Sequence, residues 1–162
     1  PMEYAMVQNN LGIAYIKLTE VDYQTGNFAE AIAAFQNALT VWNLELLPIL
    51  SANAYTNLGN AYLKMARIED QVDNSRKAAQ AFEKALEVYT LERFPMNYGI
   101  TQDNLKNAFS LIGEIENSLE IYKRTFEACE AALKVFTKRR FPKKYRLLKY
   151  EVDNLVKLLI YK

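Results

Sequence analysis

The sequence predicts an all-α fold made of three helical hairpins and one closing helix. Pro1, Pro48, Pro95 and Pro142 stand 47 residues apart and divide the 162 residues into units 1–47, 48–94 and 95–141 and a remainder, 142–162. Within the units apolar residues recur at spacings of three and four, as in Leu11, Ala14, Tyr15, Leu18 and in Ile32, Phe35, Leu39, Trp42. This is the period of a helix and not the alternation of a strand. Five Gly and four Pro are also too few to supply the turns of an all-β chain of this length. With 51% apolar and 24% charged residues, the chain has the composition of one modest folded domain, 1–162.

Each unit reads as two helices around a polar turn. Helices are predicted over 2–22 and 28–46, over 49–71 and 75–92, over 97–116 and 118–139, and finally over 143–161. Gly26 ends the first helix, and Asn27, with Glu30 three residues on, caps the second in the manner of a capping box. Asn74 or Ser75 does this in the second unit, and Asn117 or Ser118 in the third. The prolines fall at the start of each unit's first helix, where a missing N–H costs nothing.

The units align residue by residue. Asn10, Asn57 and Asn104 coincide, as do Leu11, Leu58 and Leu105, and Leu39, Leu86 and Leu133. The run Leu11-Gly12-Ile13-Ala14-Tyr15, then Ala31, Phe35, Ala38 and Pro48, resembles the tetratricopeptide repeat, and Leu58-Gly59-Asn60-Ala61-Tyr62 with Ala78, Phe82 and Ala85 repeats it. The third copy departs from the pattern: Lys106 replaces the Gly, Phe109 the Tyr, Thr125 the first Ala and Cys129 the Phe. The unit is longer than the family's ~34 residues, and the extra residues are expected to lengthen the arms of each hairpin and to extend each second helix, as in the long-armed kinesin light chain type. The resemblance implies a right-handed superhelical α-solenoid of three helix-turn-helix hairpins plus a C-terminal capping helix, 142–162. The small residues Gly12, Gly59, Ala14, Ala61, Ala38 and Ala85 are expected to let helices approach closely around Tyr15 and Phe35.

Chemistry is sparse. There is no His, the commonest general base and metal ligand, and no phosphate loop or metal cluster, so neither a catalytic residue nor a cofactor is expected. Cys129 has no His to activate it and occupies a core aromatic position of the repeat, so it is expected to be buried. No stretch approaches 18 apolar residues and no signal peptide is present, which makes the cytoplasm the default address. Starting at Pro1 on a unit boundary, the chain reads as an excised segment or a processed chain.

The resemblance also implies a concave groove lined by the first helix of each hairpin. The groove candidates are Asn10, Lys17, Asn57, Asn60, Lys64, Asn104 and Asn107. Asn is a mediocre helix former, so five of them in mid-helix require a reason. Either the amides hold the backbone of an extended peptide, or they bond neighbouring first helices to each other. Asn9, Thr56 and Asp103 stand where the cation of a carboxylate clamp would be, which argues against an acidic chain terminus as ligand. The groove as a whole is expected to be neutral, basic in the middle and acidic toward the third unit.

The net charge of +1 hides a separation. Residues 1–130 carry 10 basic and 17 acidic side chains, net −7, whereas 131–162 carry 10 basic and 2 acidic, net +8. The candidate basic patch is Lys138, Arg139, Arg140, Lys143, Lys144 and Arg146. Lys138, Arg139 and Arg140 suit the C-terminus of the sixth helix, and Phe136, Phe141, Tyr145 and Tyr150 interleave with the cations. Three functions stay open: a protein-protein interaction scaffold holding a peptide or helix of a partner in its groove; a helical-repeat module binding nucleic acid or an acidic partner through the basic end; and a self-associating array, a homo-oligomer.

Overall fold

The computed structural model describes residues 1–22 and 26–161. Among these residues there are seven α-helices and no strand: α1 (Met2–Asp22), α2 (Gly26–Leu39), α3 (Pro48–Ala66), α4 (Gln71–Leu86), α5 (Pro95–Glu116), α6 (Leu119–Leu133) and α7 (Pro142–Tyr161). The chain divides into two compact units, Pro1–Val88 and Tyr89–Lys162. In the first, α1 packs on α2, α2 on α3 and α3 on α4, and α1 also touches α3; in the second, α5 packs on α6 and α6 on α7.

Each hairpin of the first unit closes over one steric fit. A Cβ on Gly12 would stand 2.6 Å from the ring of Phe35, and one on Gly59 would stand 2.6 Å from the ring of Phe82. No carbon tolerates that approach, so glycine is required wherever the ring is present. Phe35 and Phe82 are buried as a result, and Phe35 joins Phe28, Ala31, Leu58, Ala61 and Met65 in the core between α2 and α3. Ala61 lies in this core as expected, but its counterpart Ala14 is exposed on α1.

The third hairpin exchanges this fit for an ionic one. Cys129 stands at the Phe position and Lys106 at the Gly position, and both are buried. Lys106 Nζ lies 2.8 Å from Glu151 on α7 and 3.6 Å from Asp103, and the Cys129 thiol donates to the same Glu151 carboxylate at 3.8 Å. Burial pushes the thiol up to about 12, so it stays protonated at neutral pH.

The second helices are shorter than the sequence predicts. They end at Leu39, Leu86 and Leu133 instead of 46, 92 and 139, and the residues expected to extend them form the eight-residue turns 40–47, 87–94 and 134–141. Trp42, Tyr89 and Phe136 plunge from these turns into the interior. One residue later, the side-chain oxygens of Asn43, Thr90 and Thr137 accept the N–H groups of Leu46, Arg93 and Arg140 at 2.7, 3.3 and 3.4 Å. Such local bonds compete with helical pairing, and the following prolines prevent its resumption. Tyr89–Phe94 and Phe136–Phe141 edge contacts, with centroids 5.7 and 5.3 Å apart, close two of the turns.

The hairpin tips also differ from expectation. Gly26 and Asn27, expected to end the first helix and cap the second, are both helical residues of α2, and the residues before them, 23–25, lie outside the described residues. α4 begins at Gln71, so Asn74 and Ser75 are buried within the helix instead of capping it, and Asn74 donates to the Glu69 carbonyl at 3.0 Å. The chain reverses at Asp70 (φ 45°) and 47 residues later at Asn117 (φ 49°), both left-handed, a conformation that Asp and Asn tolerate. Ser118 is the N-cap of α6, as expected, although its side chain makes no capping bond.

Gly59→Ala is expected to destabilise the chain by about 1–3 kcal/mol, read as a lower midpoint in urea, with part of the loss recovered when Phe82→Leu is added. An unchanged midpoint would refute the steric fit. In the third hairpin Glu151→Ala leaves the Lys106 ammonium, 8% exposed, without its nearest carboxylate, and is expected to cost more than Lys106→Met, which removes the charge itself. Equal losses would show that the ion pair does not anchor α7.

Candidate functional site

The 47-residue repeat brings equivalent turns of α1 and α3 side by side in the first unit. A cavity of about 440 Å³ opens between them, lined by Ile13, Ile16, Lys17, Phe35, Asn57, Asn60, Leu63, Lys64 and Arg67. Phe35, the ring that fits against Gly12, reaches it from α2, and Ile13, Ile16 and Leu63 add apolar wall. Lys17, Lys64 and Arg67 supply three cations, and among the described residues that line the cavity there is no carboxylate, so its chemistry suits an anionic group with an apolar neighbour. The groove is therefore basic here.

Four of the seven groove candidates, Lys17, Asn57, Asn60 and Lys64, meet in this cavity. Asn57 Nδ2 donates to Asn9 Oδ1 at 3.2 Å and so ties α3 to α1, the linking role held open for these amides. Asn10 is exposed on α1 outside the lining, and Asn104 and Asn107 are half-buried on α5 in the other unit. Asp103 is no groove anion, because it is buried and paired with Lys106 and Lys144. Leu63 and Ile16 were missed as site residues. The signal for both was their spacing of 47; Arg67, the third cation, lies just past the end of α3.

A larger cleft, about 590 Å³, lies against α3 and α4 and includes Tyr55, Tyr62, Lys77, Lys84, Glu83 and Glu87. Its cations are locally neutralised: Lys84 bonds Glu87 at 2.8 Å and Lys77 bonds Asp73 at 2.6 Å.

The basic residues lie elsewhere than expected. Because α6 ends at Leu133, Lys138, Arg139 and Arg140 occupy the turn before α7, and Lys143 stands in the first turn of that helix. Cations there oppose the helix dipole instead of complementing it. Lys144 is committed to Asp103. Lys138, Tyr145, Arg146, Lys149, Tyr150 and Asp153 line a cleft of about 400 Å³, in which Lys149 and Asp153 pair at 3.0 Å. Phe136 and Phe141 pack with the core, but Tyr150 is 68% exposed.

Among the described residues no group of three His, Cys, Asp or Glu side chains could hold a metal ion, and no helix is long and apolar enough to cross a membrane. Compared with protein-family models and with curated proteins, the chain matches none.

Proposed function

We propose that the chain is a non-catalytic protein-protein interaction scaffold of the tetratricopeptide type, a right-handed α-solenoid of three hairpins and a capping helix that holds a peptide or helix of a partner against its first helices. The observation that carries this reading is the cavity between α1 and α3, where Lys17, Asn60, Lys64 and Arg67 surround an apolar floor. The ligand it suits is a segment with an acidic side chain beside a large apolar one. Selection from a displayed peptide library tests this. Winning sequences are expected to carry that pair, and their affinity to fall tenfold or more in Lys64→Ala with Asn60→Ala while Lys143→Ala changes nothing. Winners unaffected by the double variant would remove the cavity as the site.

A second reading, nucleic-acid binding through the basic end, is favoured by the unfavourable placement of Arg139, Arg140 and Lys143 at a helix N-terminus, which a bound phosphate would relieve, and by the exposed Tyr150, which lines a cleft with Lys138 and Arg146. Anisotropy of a labelled single-stranded oligonucleotide is expected to show binding that weakens with salt, its slope falling by about 0.7 for each phosphate-neutralising cation removed. Absence of binding at low ionic strength retires this reading.

A further inference from the structure

The seam along α1 has a counterpart in every other first helix. Tyr4, Val7, Leu11, Ala14 and Leu18 follow one another at spacings of three, four, three and four. Their counterparts 47 residues on are Ser51, Ala54, Leu58, Ala61 and Met65, all buried, with Leu58, Ala61 and Met65 in the core formed with α2. In α5 the counterparts Thr101, Leu105, Ala108 and Ile112 are buried, and in α7 Leu148, Val152 and Leu155 are buried against α6. On α1 alone the stripe lies open: all five residues are exposed, Val7 to 61%.

We infer that this stripe is the interface of a two-fold dimer, occupied by α1 of a second copy running antiparallel. The spacing is that of a two-heptad coiled-coil seam, with Tyr4, Leu11 and Leu18 at one core position and Val7 and Ala14 at the other. Such a seam is self-complementary about a two-fold axis. With Tyr4 level with the partner's Ala14 and Val7 level with the partner's Leu11, large side chains meet small ones at the outer layers and two branched side chains meet at the inner ones, and Leu18 stays outside these four layers. The flanking positions on the groove side are then Glu3, Asn10 and Lys17. Glu3 faces the partner's Lys17 twice, once at each end, and Asn10 faces the partner's Asn10 across the axis. No like charges meet. Glu3 and Lys17 are both exposed on the isolated chain and free to make these pairs. The other first helices have no comparable open stripe, so the interface is confined to α1.

Sedimentation equilibrium of the full chain tests this pairing. The wild type is expected to approach twice 18.7 kDa, and Val7→Glu with Leu11→Glu to return it to the monomer mass with unchanged helicity and with a thermal midpoint that no longer depends on concentration, as that of the wild type does. Glu3→Lys is expected to weaken the dimer and Glu3→Lys with Lys17→Glu to restore it. Asn10→Cys is expected to form a disulfide-linked dimer under mild oxidation, a result that antiparallel pairing allows and parallel pairing does not. A wild type that stays monomeric at every concentration overturns the inference. So does a dimer that survives Val7→Glu with Leu11→Glu, or a monomer that instead captures a peptide of residues 73–94, which would assign the stripe to a second-helix sequence.

Discussion

The hairpins depend on one contact, a phenyl ring seated where no Cβ can be. Gly12 admits Phe35 and Gly59 admits Phe82, each at a separation that any other residue would close. The contact sets how near the two helices of a hairpin approach, and because it recurs at a fixed spacing it gives both hairpins of the first unit the same geometry. Phe35 goes further. The ring that locks α1 to α2 also forms the floor of the cavity between α1 and α3, so the site is built on the most tightly determined contact of its unit.

The third hairpin shows what happens when that contact is given up. A ring lost at Cys129 and a side chain gained at Lys106 are one change, because neither is compatible with the original partner of the other. The buried ammonium then requires carboxylates, which Asp103 and Glu151 provide from α5 and α7. A pair of this kind adds little net stability over a hydrophobic fit, but it specifies a partner: only a helix carrying an acid at position 151 satisfies Lys106. Lys144, reaching from α7 to Asp103, repeats the logic. Two of the residues that stood out in the sequence, Asp103 and Lys144, are thereby engaged in holding α7.

What could be read from the sequence follows from which interactions are local or periodic. The helices, their pairing into units and the Gly–Phe register are periodic, and α1, α3 and α5 begin within two residues of their predicted starts. The turns after Leu39, Leu86 and Leu133 were hidden because Trp42 falls on the same three-and-four pattern as Phe35 and Leu39. Periodicity alone cannot distinguish a buried aromatic on a helix from one plunging in from a turn. The same limit affected the basic residues: with the sixth helix drawn too long, Lys138, Arg139 and Arg140 seemed to suit its end, when they crowd the start of the next. In the site, Lys17 and Lys64 were legible as equivalents, whereas Arg67 enters the cavity from beyond the last turn of α3, where the repeat imposes no rule. For Asn57 the sequence offered the link between first helices as one of two roles, but not the identity of the acceptor, Asn9.

Lys17 connects the two ends of this reading. It stands at the rim of α1, where one face looks into the cavity beside Lys64 and the other flanks the open apolar stripe. A single ammonium cannot satisfy an acidic ligand in the cavity and Glu3 of a second copy at once. If α1 pairs as inferred, ligand binding and pairing draw on the same charge, and whatever factor a ligand takes from the pairing affinity, pairing must take from the ligand. The coupling would be modest, since both contacts are exposed and screened by salt, and the apolar layers would be unaffected. Its sign is fixed nonetheless: an anionic ligand in the cavity favours the separate chain, and a neutral ligand leaves the pair undisturbed.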